Sequence, residues 1–121
     1  MITRSEVLMG REIDYPLSAE LETNLSALLY SVNVLRAEYG KPMRVSSGYR
    51  PGHFNSDAGG AINSTHKLCM GVDFHDRDGA IKSWLTESIL ERCGLYMEDP
   101  RNTSTWVHVQ IRPTKNRIFR P

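Results

Sequence analysis

Residues 18–39 restrict the fold more than any other segment. Leu21, Leu25, Leu28, Leu29, Val32 and Leu35 recur at spacings of three and four, which place them on one stripe of an α-helix. Pro16 precedes the segment and Ser18 can cap it. Glu20 and Glu22 suit the positive end of the helix dipole. Gly40 and Pro42 stop it. A helix with one apolar face has to bury that face, so the stripe is core and not a cofactor-binding surface. A chain of 121 residues has room for a single domain, residues 1–121, around such a helix. Its core is modest, and a bound metal would help to hold it.

The remaining segments are shorter. Arg44–Ser47 reads as a strand. A polar loop, Gly48–Thr65, follows with four glycines, and a loop that long in a small domain is usually functional. Met70–Phe74 reads as a buried strand. Asp78 can cap a second helix reaching about Arg92, with Ile81, Trp84, Leu85 and Ile89 inward and Gly94 at its end. Leu95–Glu98 and Trp106–Arg112 read as strands joined by the turn formers Asp99–Thr103. Together these segments predict an α+β fold with a small antiparallel sheet packed against helices.

Charge narrows the partners. Fifteen basic and fourteen acidic residues give a net charge of +1, which offers no footprint for nucleic acid. Arg112, Lys115, Arg117 and Arg120 make the C-terminal stretch locally basic. It reads as a solvated tail, with weak attraction to an anionic cell wall or membrane as the sharper alternative. No stretch approaches the ~20 apolar residues of a membrane span. The first residues lack the apolar core of a signal peptide. The expectation is synthesis in the cytoplasm, with any work at the cell wall requiring release by a partner such as a holin. Cys69 and Cys93 form no CxxC pair and read as free, partly buried thiols.

Three side chains suggest chemistry. Asp73 stands in the apolar run Met70-Gly71-Val72-Asp73-Phe74, where a carboxylate is costly to bury without a partner. His66 ends the long loop. His108 alternates with Val107 and Val109, so it faces away from them. Two histidines and one carboxylate form a zinc set that leaves a position open for water. Spacing alone does not single out this set, because His53 and His75 are also available.

The surrounding motifs add a resemblance. Ser47-Gly48-Tyr49-Arg50, Asn55, Gly59-Gly60-Ala61, Ser64-Thr65-His66, Asp73 and Trp106-Val107-His108 occur in this order. The arrangement, over about residues 42–112, resembles the zinc D-alanyl-D-alanine carboxypeptidase and L-alanyl-D-glutamate endopeptidase family, whose fold is shared with the Hedgehog signalling domain. Val107–Gln110 and Phe119–Pro121 are similar to phage and prophage members. The resemblance implies zinc held by His66, Asp73 and His108. It implies that Arg50 binds substrate or polarises its carbonyl, and that Ser64 lines the cleft. A guanidinium fork suits a carboxylate or a developing oxyanion. The alternatives are a structural salt bridge for Arg50 and a turn hydroxyl for Ser64.

Two departures qualify the resemblance. Cys69 and Gly71 replace a glycine and an alanine of the family pattern, and a small buried residue at Cys69 is the simplest reading. Thr105 and Trp106 stand where relatives carry a general base, and neither can take a proton. Gln110 can orient a water or substrate but cannot deprotonate it. The expected replacement is Glu98, with Asp99 second. If residues 95–98 pair with the last strand, Glu98 reaches the site, and the apolar run before it raises its pKa. The expected function is zinc-dependent hydrolysis of an amide in peptidoglycan stem peptides, by a carboxypeptidase or an endolysin-like endopeptidase. The alternative is a weak or inactive zinc-binding module with a phage structural, assembly or cell-wall-binding role. A metal-free scaffold would need the three side chains apart or hydrogen-bonded to one another.

Overall fold

The computed structural model describes residues 1–121. A short helix, α1 (Arg4–Leu8), carries a capping box between Thr3 and Glu6 and buries Val7 and Leu8. The long helix follows as α2 (Ala19–Tyr39). The Ser18 hydroxyl accepts from the Leu21 N–H, and Gly40 ends the helix at φ +73°. Leu25, Leu28, Val32 and Leu35 are fully buried, with Leu21 and Leu29 packed against the same cluster.

Five strands form one sheet: β1 (Val45–Ser47), β2 (Gly71–His75), β3 (Tyr96–Glu98), β4 (Trp106–Gln110) and β5 (Ile118–Phe119), in the order β1-β2-β4-β3-β5. The first four pair antiparallel. β5 pairs parallel with β3, Met97 beside Ile118 and Glu98 beside Phe119. The sheet is therefore mixed, not wholly antiparallel. The chain reverses after β4, and a strand antiparallel to β4 must run parallel to β3. The basic C-terminal stretch is likewise not a free tail. Arg117 donates to the Leu95 carbonyl at 3.0 Å and lies over the Tyr96 ring.

The second helix is divided in two. α4 (Ala80–Trp84) ends where Leu85 turns extended at ψ 130°, and Thr86 caps α5 (Glu87–Cys93) by accepting from the Ile89 N–H. The cap of α4 comes chiefly from buried Asp76, which accepts from Ile81 at 2.8 Å and Lys82 at 3.0 Å. Asp78 accepts only from Ala80, at 3.1 Å. The long loop contains a helical turn, α3 (His53–Asp57), and a 3-10 turn, Thr65–Leu68.

Strand alternation sorts the sheet into two sides. Val72, Phe74, Met97, Val107 and Val109 join the helices in one hydrophobic cluster. Asp73, His108 and Gln110 occupy the alternate positions and face the other way. No helix is long and apolar enough to cross a membrane.

Candidate metal centre

The β2–β4 register sets Asp73 directly opposite His108. Cross-strand partners share a face of the sheet, so the two side chains meet. His66 arrives from the 3-10 turn. The Ser64 hydroxyl caps that turn by accepting from the His66 N–H at 3.2 Å, and the His66 carbonyl accepts from the Arg50 N–H at 3.0 Å. Cys69 closes the turn at φ +56°, a left-handed conformation that glycine adopts freely. Its thiol is fully buried and pushed up to about 12 by that burial, so it stays protonated. Cys69 lies outside the group of potential ligands, and both cysteines are free.

His66 Nε2 lies 3.2 Å from Asp73 Oδ1, and His108 Nδ1 lies 2.8 Å from the same oxygen. One ligand atom from each of the three residues falls within 4.8 Å of the others. His53 and His75 stand exposed and apart, so the geometry chooses among the four histidines. The outer ring nitrogens meet acceptors: His66 Nδ1 is 2.8 Å from the Gly48 carbonyl, and His108 Nε2 is 2.8 Å from Gln110 Oε1. The Gln110 amide nitrogen donates to the Arg112 carbonyl at 2.9 Å, which fixes the amide's orientation. These acceptors assign a hydrogen to each outer nitrogen.

Burial pushes the His66 pKa below the ordinary histidine value, which favours a neutral ring. A neutral ring with its hydrogen on the outer nitrogen turns a lone pair toward Asp73. Burial opposes the charge of Asp73, and its carboxyl is held well below the usual carboxylate range only when the two imidazoles are protonated on the side that faces it. Lone pairs converging on a carboxylate need a cation, or extra protons, between them. The donor set, two imidazole nitrogens and one carboxylate oxygen with both rings oriented from behind, fits zinc.

The triad opens into a cleft of about 570 Å³ that Arg50, Ser64, Glu98 and Gln110 also line. In the β3–β4 register Tyr96 faces Gln110 and Met97 faces Val109. One residue further along, Glu98 stands beside His108, with Phe119 on its other side. Asp73, His108, Glu98 and Phe119 therefore form a row across the sheet. Partial burial pushes the Glu98 pKa up, His108 opposes that rise, and Asp73 and Asp99 add to it. Asp99 differs. Its carboxylate accepts from Arg101 at 2.6 Å, is held down to about 2 chiefly by that arginine, and lines a separate depression.

Arg50 forms no salt bridge, and its Nε is buried without a partner. The Ser64 hydroxyl is occupied as a turn cap. Sequence reasoning missed the Gly48 carbonyl behind His66, Phe119 at the end of the row, and Arg112 and Arg120 at the cleft. Only Arg112 had a usable signal, since it continues the alternation His108, Gln110, Arg112.

A family model described as Peptidase M15 matches residues 8–110. The chain belongs to the peptidase M15 family. No curated protein and no solved structure matches it. The M15 match takes in all three members of the donor cluster and β1 to β4. It ends before Arg112 and β5, so one wall of the cleft is built from residues beyond the matched region.

Proposed function

We propose that this M15 peptidase is zinc-dependent and hydrolyses an amide bond in peptidoglycan stem peptides. The observation that carries the proposal is the place of Glu98, an acid of raised pKa beside His108 on the wall of the donor-lined cleft. His66 Nε2, Asp73 Oδ1 and His108 Nδ1 would hold the ion. Bound there, zinc supplies a Lewis acid that polarises the substrate carbonyl and acidifies water. Glu98 takes the proton from the attacking water and returns it to the leaving amine. Arg50, with an unpartnered buried N–H, turns a donor toward the developing oxyanion or a substrate carboxylate. Gln110 holds the His108 ring through Nε2 and presents its face to substrate. The Ser64 hydroxyl accepts from His66 and keeps its own hydrogen for a substrate carbonyl.

Zinc analysis and release of muropeptides from purified sacculi test this reading. The expected result is one zinc per chain and soluble peptide products. Glu98→Gln should retain zinc and lose roughly 10²- to 10⁴-fold in turnover. An active Glu98→Gln variant removes Glu98 from the mechanism, and absence of metal after a zinc-replete preparation removes zinc. The base works ionised, so activity falls as pH drops through the Glu98 pKa. Burial lifts that value, and a cation held at the donor cluster opposes the lift.

One observation favours a second reading. Thr105 and Trp106 leave the position just before His108 without a base. Stoichiometric zinc with no release from any peptidoglycan chemotype would make the chain a zinc-binding module with a structural or wall-binding role.

A further inference from the structure

Three arginines meet the cleft, and their donors are largely free. Arg50 lies beyond β1, and its Nε has no partner. Arg112 extends the His108–Gln110 face of β4 by one further alternation. It spends one N–H on the Asn63 carbonyl at 2.8 Å, out of the five a guanidinium carries. Arg120 follows Phe119 on β5, and its side chain is 73% exposed. Its nearest carboxylate, Asp99, lies 3.7 Å away and is already held by Arg101 at 2.6 Å. Against these three charges the cleft sets two carboxylates, Asp73 and Glu98. Asp73 is engaged by both histidines. The surplus of positive charge is local, because the whole chain is nearly neutral.

The order of strands gives the charges direction. Arg50 lies toward the β1 edge of the sheet and Arg120 toward the β5 edge. The row Asp73, His108, Glu98 runs between them, and Arg112 stands past the end of the central strand β4. Strands lie about 4.8 Å apart, so the distance from β2 to β5 is roughly 15 Å, or four to five residues of extended peptide. A peptide laid across the row therefore meets an arginine on either side of the reacting centre.

We propose that the cleft selects acidic peptides with a carboxylate on each side of the scissile amide, one taken by Arg50 and the other by Arg112 and Arg120. The inference deepens the peptidase reading and rests on it for the position of the scissile bond. Arg112 and Arg120 are specificity residues here, and they touch substrate away from the reacting atoms. Stem peptides offer two candidate carboxylates, the α-carboxyl of a γ-linked glutamyl residue and the C-terminal carboxyl.

Three synthetic stem pentapeptides with lysine as the third residue separate them: one with both carboxyls free, one with the glutamyl carboxyl as carboxamide, and one with the C-terminal carboxyl as carboxamide. The readouts are kcat/KM with the wild type and binding by calorimetry to Glu98→Gln. A charge-assisted pair lost on amidation should lower kcat/KM and affinity by roughly ten- to a hundredfold. Both amides should weaken binding, and a loss confined to one of them overturns the two-sided selection. In Arg112→Gln and Arg120→Gln the acid-to-amide ratio should fall toward one, and added salt should shrink the same ratio in the wild type. Equal handling of all three peptides by the wild type overturns the inference while leaving the peptidase reading intact. Losses in the arginine variants that are equal on acid and amide peptides overturn it too, because they mark a structural role such as the Asn63 contact. Preferential binding of the diacid by Glu98→Gln without hydrolysis by the wild type supports the acidic selection and overturns the peptidase reading alone.

Discussion

A methyl group at position 71 would overlap Thr65 Oγ1 and come within 3.0 Å of His108 Cε1. The family pattern that the sequence resembles has alanine there, and in this chain Thr65 fills the space of that methyl. Thr65 is buried, 3.4 Å from Gln110 Oε1 and 3.5 Å from His108 Nε2. Gly71→Ala should cost about 1–3 kcal/mol of stability, the usual range for overpacking a close-packed interior. It should also weaken zinc binding, because the methyl displaces Thr65 and presses on His108, a proposed ligand. Thermal unfolding and zinc competition against a chelating dye measure the two effects; lost stability with unchanged affinity would show that His108 keeps its place independently of residue 71. At this scale the sequence was partly readable. The departure at Gly71 is visible in the motif, but its cause depends on a neighbour six residues away that no spacing rule names. Cys69 was easier: it is the small buried residue that the sequence suggested, although its left-handed backbone at φ +56° was not foreseen.

The segments whose signals are local were the readable ones. α2 carries its period, its cap and its stop within its own length, and it forms as expected. The stretch 78–92 misled, because Ile81, Trp84, Leu85 and Ile89 continue a helical pattern through a break. Thr86 competes as a cap, and Leu85 leaves the helix to pack into the core. β5 has two residues, too few to show any period, and depends on the exposed edge of β3 for its form. The start of α4 makes a discriminating experiment. Asp76 is 3% exposed and accepts two backbone N–H groups, whereas Asp78 is exposed and accepts one. Asp76→Ala should destabilise the fold by about 1–2 kcal/mol, the upper range for a lost cap. Asp78→Ala should stay within about 0.5 kcal/mol, as surface changes do. Denaturant melts of the pair measure both, and a larger loss at Asp78 would return the cap to the residue that the sequence suggested.

For the whole molecule, the donor cluster joins a turn, a central strand and its neighbour across 43 residues of chain. A ligand that binds only this folded arrangement stabilises all of it. Zinc at a hundred times its dissociation constant should add about 2.7 kcal/mol to unfolding. Chelation should reverse that gain in the wild type and have no effect in a His66→Ala variant. A melting curve indifferent to zinc would contradict the metal-centre reading.

The two-sided sheet also limits how this chain can change length. Val107 and Val109 belong to the core while His108 and Gln110 belong to the cleft, with one residue separating the two roles. A single inserted or deleted residue near the start of β4 would exchange them, burying polar side chains among the helices and presenting valine to the cleft. β2 carries the same restriction through Val72, Asp73 and Phe74. Insertions are admissible where no such alternation exists, as in residues 58–63 and 113–117. Both of those segments border the cleft, so the places where length can drift are also the places where it would reshape what the site accepts.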